Sequence, residues 1–285
     1  MPPSEGSPRM STLRVMTFNV RQPDLDEGEN SWEARRDLLV ETILEQDPDL
    51  IGTQELFLLQ AGYIVAKAPQ YAWFGTGRFG THEDKHVGIF YRKGRCRLSL
   101  CGDVWLSETP DVPGSSSWDI IRPRQLTWGA FQIGDVGLFL LNTHFPYRTV
   151  EQEARRQTAL LIKERVAAIP AATPVIVTAD ANSLIDSEPY RLLASDLRDA
   201  WCTAARRIGP EGTLNGFGRH VNTGRRIDWI LYRAPWPVRE VETVTCNRNG
   251  RYPSDHFPVV ATFEIPVTSS DPGAIRNRRT QRSRS

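Results

Sequence analysis

The sequence has little of what marks several classes of protein. Only four cysteines occur in 285 residues, Cys96, Cys101, Cys202 and Cys246, and no two share a CxxC spacing. That argues against a disulfide framework and fits reduced, packing thiols in a cytoplasmic protein. No run approaches the roughly 20 apolar residues a membrane-spanning helix needs, and the opening MPPSEGSPRM lacks the apolar stretch of a secretory leader. Internal repeats and linker-like stretches between the termini are missing too. So is a large charge of one sign: the formal net charge is +1. Arg276, Arg278, Arg279, Arg282 and Arg284 against Asp271 give residues 271–285 a charge of +4, which leaves −3 for the rest. Duplex-binding surfaces carry the opposite sign, because Lys and Arg must neutralise phosphate. Nucleic acid is thus a partner that the charge does not favour.

What is present fits one globular domain. Hydrophobic residues make up 40% and charged residues 24%, which is ordinary for a chain with a sizeable core. Residues 1–12 and 267–285 are rich in Pro, Ser and Arg and read as disordered flanks around a single domain, 13–266. Apolar, β-rich runs at 13–18, 49–53, 87–91, 137–143, 174–179, 227–232 and 258–265 predict strands. A helix is expected after Ser31, a plausible N-cap, with Leu39, Val40, Ile43 and Leu44 on one face. A second is expected over 150–168, burying Ala154, Leu161, Ile162, Val166 and Ile169.

The chemistry-bearing residues follow the apolar runs. LRVMTF ends in Asn19, DLIGTQ in Glu55, GLFLLNT in His144, and PVIVTA in Asp180 with Asn182 two residues on; Asp255 and His256 precede FPVVATFEI. A single acid after a strand is ordinarily a turn residue or a helix cap. Five such placements suggest a site at the strand ends, where open sheets commonly bind ligands. Glu55, Asp180, Asn182 and Asp255 are hard oxygen donors without a thiolate, which favours Mg2+ or Mn2+. In an extended segment Asp180 and Asn182 would face one ligand together. His256 could serve as a base if a carboxylate fixed its tautomer. Asp228, inside the strand RIDWIL, needs a buried partner.

Taken in order, TFNVR (17–21), TQE (53–55), IFYR (89–92), WLSETPDVPGSSSWD (105–119), NTHF (142–145), TADAN (178–182), SEPY (187–190), RIDWI (226–230) and YPSDHFPV (252–259) resemble the endonuclease/exonuclease/phosphatase superfamily. The likeness covers about residues 13–265 and is nearest to a compact bacterial group with WLSETPDVPGS. It implies an α/β fold, a four-layer α/β/β/α sandwich of two packed, mainly antiparallel sheets. It also implies a metal-dependent phosphoesterase. Glu55 would be the principal metal ligand, with Asn19 in support and Asp255 as a further ligand. Asp180 and Asn182 would orient water and hold phosphate, His256 with Asp228 would activate water, and His144 would contact phosphate and protonate the leaving group. One departure stands out: the group commonly has Glu where this chain has Lys85, so the role of His144 would depend on Glu83 or Asp84 reaching in, or on Lys85 itself supporting the phosphate.

Other signals weigh less. His82–His86 matches HExxH but lies beside Gly80 without a helical apolar stripe, so a loop flanking the cleft is expected. His220 reads as a solvated loop residue. Trp32, Trp118 and Phe217 are candidate rim aromatics for stacking on a base or sugar, and Arg21, Arg124 and Lys85 candidate phosphate contacts. The expected substrate is a small phosphorylated molecule or an exposed phosphate end, handled by a monomer. A nuclease or phospholipid phosphodiesterase with the same centre, and a non-catalytic phosphate-binding module, are the alternatives.

Overall fold

The computed structural model describes residues 9–220 and 224–267. In chain order they form β1 (Arg9–Asn19), α1 (Trp32–Gln46), β2 (Leu50–Gln54), α2 (Leu58–Lys67), β3 (Tyr71–Phe74), β4 (Ile89–Arg92), β5 (Arg97–Trp105), β6 (Gln125–Ile133), β7 (Val136–His144), α3 (Gln152–Ala168), β8 (Val175–Asp180), α4 (Glu188–Ala194), β9 (Arg198–Asp199), α5 (Ala200–Thr203), β10 (Arg206–Ile208), β11 (Asp228–Arg233), β12 (Val238–Thr243) and β13 (Val259–Val267). One sheet runs β10-β12-β13-β1-β2-β4-β3 and the other β5-β6-β7-β8-β11-β9. Most neighbours are antiparallel, but β1–β2, β10–β12 and β7–β8 are parallel, so both sheets are mixed.

Period-two alternation sorts the side chains into layers. In β1, Leu13 and Val15 enter the core between the sheets, while Met16 and Phe18 join Leu39 and Ile43 of α1 and Ile64 of α2 on the outer face. In β8, Ile176 points inward, and Val175, Val177 and Ala179 meet Ile162 and Val166 of α3. Helices therefore cover both outer faces of a two-sheet sandwich.

Towards the strand ends the inward positions turn polar. Asn142 on β7 donates through Nδ2 to the carbonyls of Thr53 (2.8 Å) and Gly88 (3.1 Å). Its Oδ1 accepts from Gln54 Nε2 (2.7 Å) and Thr178 Oγ1 (3.0 Å), and Gln54 Nε2 also reaches Thr17 Oγ1 at 3.1 Å. Gly52 makes the approach possible, because a Cβ there would lie 2.1 Å from Thr178 Oγ1 and 2.6 Å from Asn142 Oδ1. This buried seam ties β1 and β2 of one sheet to β7 and β8 of the other.

Several boundaries differ from expectation. β1 starts at Arg9, inside the flank expected to be disordered, because residues 9–12 pair with residues 264–267 of β13; that strand likewise runs one residue past 266. The remaining expected disorder, 1–8 and 268–285, lies outside the described residues. Ser31 caps α1 as expected, but Leu44 is exposed and Leu38 takes its place on the buried face. α3 starts at Gln152 rather than Val150, after Glu151 has turned its carboxylate back onto the backbone N–H groups of Arg148 and Ile121. β5 escaped notice because its polar and apolar residues lie on a largely exposed strand at the sheet edge. Asn142→Ala strands the Gln54 amide, the Thr178 hydroxyl and two carbonyls, and should lower unfolding free energy by about 2–4 kcal/mol. Urea denaturation tests this; a loss below about 1 kcal/mol would show that the seam is not a structural tie.

Candidate active site

Register sets the first three groups. Parallel pairing of β7 with β8 puts His144 opposite Asp180, and antiparallel pairing of β11 with β8 puts Asp228 opposite Asp180. One step beyond the seam, they form a row at one sheet edge. Asn19, last in β1, reaches across with Nδ2 on Asp180 Oδ2 at 2.8 Å. His256 enters from the segment before β13, where its backbone bridges to Leu214. Its Nδ1–H donates to Asp228 Oδ2 at 2.9 Å, which leaves Nε2 facing Asp180 Oδ2 at 3.9 Å. His144 Nε2 lies 3.3 Å from the same oxygen. All five side chains are buried. Asn182 adds its backbone N–H to Asp180 Oδ1 at 3.1 Å. It does so from a left-handed turn (φ 45°) with its amide on the Phe145 carbonyl, not from the extended segment expected.

Burial and charge then drive the two histidines apart. Burial, followed by the nearby Arg124, Lys85, Arg78 and His256, pushes His144 well below the ordinary histidine range. Burial opposes the charge of His256 as well, but Asp228, Asp180 and Asp255 outweigh it and raise that imidazole well above its usual value. Asp180 is raised by burial and by Asp228, against the pull of His256, Asn19 and the Asn182 amide. The geometry thus places, on either side of a shared carboxylate, one imidazole whose positive charge is favoured and one whose positive charge is opposed.

A second group lies beside this row. Glu55 follows β2 in a left-handed conformation (φ 59°), with its Oε2 3.0 Å from Lys85 Nζ and 3.2 Å from the Gln22 N–H. Burial would raise this carboxyl, yet Lys85, the Gln22 amide and Arg21 hold it down to about 2. Lys85 itself is pushed down by burial, offset only in part by Glu55, with Arg78 and Arg124 adding repulsion. Burial opposes the charge on both partners, so the pair keeps Glu55 ionised at little net gain in stability. Glu55, Arg78, Lys85, Arg124 and His144 line one small pocket. Burial beside Arg78 lowers the Arg124 guanidinium to about 10. Arg78 was not foreseen; it sits in the loop after β3, and only its flanking glycines hinted at a tight turn.

The donors suit a hard divalent cation. Among the described residues, Asp180, Asp228 and His256 place metal-capable atoms within 4.8 Å of one another. Asp228 Oδ1 is buried without a hydrogen-bond partner, and no thiolate competes. Of the ligands expected from sequence, Glu55 and Asp255 stand outside that trio, each held by a cation. Arg21 spans Asp26 (2.7 Å) and Asp255 (3.1 Å) in an ion-pair bridge. Its Asn19 neighbour accepts the Arg21 N–H at Oδ1.

Glu83 is exposed and Asp84 pairs with Arg78 at 3.4 Å, so the carboxylate beside His144 is Asp180. Trp32 is not a rim aromatic: it opens α1 and is buried against Tyr63. Trp118 and Phe217 are half-buried loop residues with left-handed backbones (φ 58° and 56°), and neither lines the Glu55 pocket. The HExxH segment is loop, with the His82 and His86 rings stacked and His86 Nδ1 on the Leu56 carbonyl. His220 is exposed.

The model of the Endonuclease/Exonuclease/phosphatase family matches residues 16–256, nearly the whole described chain. The chain belongs to that family. Solved structures agree: a family protein from Bacteroides vulgatus superposes with a TM-score of 0.85 at 31% identity, covering 90% of this chain and 99% of its own. A mannosyl-6-phosphatase from Bacteroides thetaiotaomicron gives 0.80 at 31% identity, covering 87% and 98%. Protein angel of Drosophila melanogaster is 24% identical, over 90% of this chain and 82% of its own. Members of the family hydrolyse phosphoester bonds, and this chain is an enzyme of that class. Among the described residues no helix is long and apolar enough to cross a membrane.

Glu55 yields a pH test. Its folded value lies below its ordinary 4.5, so its contribution is complete above that pH and is lost as pH falls towards about 2. In chelator, the stability difference between wild type and Glu55→Gln should be constant from pH 7 to 5 and change progressively below 4.5. A difference unchanged down to pH 2.5 would contradict the ion pair.

Proposed function

We propose that this chain is a divalent-cation-dependent phosphomonoesterase that removes a terminal phosphate from a small molecule. The observation that carries the reading is the pocket beside His144, which Arg78, Lys85 and Arg124 line together with Glu55. With Asp84 on Arg78 and Glu55 on Lys85, these groups still keep an excess of positive charge, which suits a phosphate group. The likeness to a mannosyl-6-phosphatase at 31% identity supports the same class.

In this reading Asp228 holds the Nδ1–H of His256, so that Nε2 can take a proton from the attacking water, and it stabilises the imidazolium that results. Asp180, steadied by Asn19 and Asn182, orients that water. Arg124 and Arg78 hold the phosphate oxygens. His144 is neutral and donates a hydrogen bond more readily than a proton, so esters with good leaving groups should be the better substrates. A divalent cation, Mg2+ or Mn2+, would be held by Glu55, Asn19 and Asp255. Its chemistry there is to neutralise charge on the phosphoryl oxygens.

The test is a panel of sugar phosphates, nucleotides, cyclic phosphates, sphingomyelin and plasmid DNA, assayed with Mg2+, Mn2+ and EDTA. Cation-dependent release of inorganic phosphate from monoesters is expected. Arg124→Met should lower kcat/KM on monoesters by about 10²–10³ and on diesters far less. Preference for a diester, or full activity in EDTA after metal stripping, would overturn the proposal.

A further inference from the structure

Lys85 departs from the pattern that the sequence resembles, and the structure shows what it does instead. A pair of hydrogen bonds between Leu56 and His86 (2.7 and 3.3 Å) locks the segment after β2 to the segment before β4. Glu55 and Lys85 immediately precede those two residues, so the backbone delivers the ammonium to the carboxylate. Both side chains are largely shielded, at 17% and 12% exposure, and the contact is 3.0 Å. The left-handed backbone of Glu55 is strained and persists only where surroundings fix it. Arg78 and Arg124 crowd the same pocket and repel the ammonium, while among the described residues Glu55 is the one carboxylate lining it. Lys85 rests there because of Glu55's charge, and its long flexible stem lets it leave.

We propose that Lys85 is the resident counter-ion of Glu55, that a divalent cation bound by Glu55 must displace it, and that the released ammonium then turns to the substrate's phosphate. The inference rests on the reading that Glu55 takes part in holding that cation. Two consequences follow. Cation affinity is weaker than the oxygen donors alone would give, because the incoming charge first breaks an ion pair. Phosphate and cation also bind with positive coupling, since phosphate stabilises the displaced ammonium, and the coupling acts equally in both directions.

Mn2+ binding followed by electron paramagnetic resonance tests this without turnover. Wild type, Lys85→Gln, Lys85→Arg and Glu55→Gln are titrated with and without inorganic phosphate, correcting for the Mn2+–phosphate complex. Lys85→Gln should bind Mn2+ about ten-fold tighter than wild type in the absence of phosphate, and phosphate should help it less. Lys85→Arg keeps the competing charge and should bind no tighter than wild type. Equal or weaker Mn2+ binding by Lys85→Gln overturns the proposal. If that variant does not fold, the wild type decides: phosphate tightens its Mn2+ binding if the proposal holds, and a phosphate-independent affinity overturns it. Loss of binding in Glu55→Gln with no effect at Lys85 defeats this proposal but leaves the cation at Glu55 standing. Mn2+ binding that survives in Glu55→Gln removes the cation from Glu55 and takes this proposal with it.

Discussion

The candidate site depends on the buried seam in which Asn142 satisfies Gln54, Thr178, Thr53 and Gly88 at once. Hydrophobic packing alone would let two sheets slide with little penalty, because apolar contact is not directional. Hydrogen bonds among buried amides and hydroxyls do not permit that, since any shift leaves donors unpaired in a medium without water. The seam therefore fixes the relative register of β1 and β2 against β7 and β8. Each inward column continues from aliphatic to seam to reactive group: Val15, Thr17, Asn19 in β1; Leu140, Asn142, His144 in β7; Ile176, Thr178, Asp180 in β8. The same alternation that fills the core places the chemistry.

That arrangement sets the electrostatics. Packing carboxylates, imidazoles and guanidinium groups at a buried sheet edge strips water from them, and burial is the leading influence on Glu55, Lys85, Arg124, His144, Asp180 and His256 alike. What differs is the company each keeps. His256 sits among three acids, which raise its basicity; His144 sits against three cations, which oppose its charge. Left-handed backbones at Arg21, Glu55 and Asn182 add local strain in the loops that follow the strands. Strain and uncompensated charge of this kind persist at functional sites because the surrounding fold over-determines them.

Much of this was legible in the sequence. The alternation in LRVMTFN, GLFLLNTH and PVIVTAD announces both the strands and the residues at their ends, and the run of motifs named a family that the matching family model shows. Two things were not legible. One was side-chain pairing across loops: nothing in the spacing of Glu55 and Lys85 shows that a bridge at Leu56 and His86 brings them together, or that Arg21 is already taken by Asp26 and Asp255. The other was Arg78, whose role depends on a turn that folds it under the β7 end. Trp32 is a helix residue and not a rim aromatic because the N-cap at Ser31 makes the next residue the start of the buried face of α1.

The proposed mechanism has His256 and Asp228 act as one unit, poised by register over Asp180. A double-mutant cycle on kcat, with His256→Ala, Asp228→Asn and the double variant, tests it most directly. Each single change should cost about two to four orders of magnitude with folding retained. The double variant should be little worse than His256→Ala alone, since a proton acceptor and the carboxylate that orients it are lost together. Independent, multiplicative losses would contradict the account and leave the 2.9 Å hydrogen bond between the two residues a structural contact only.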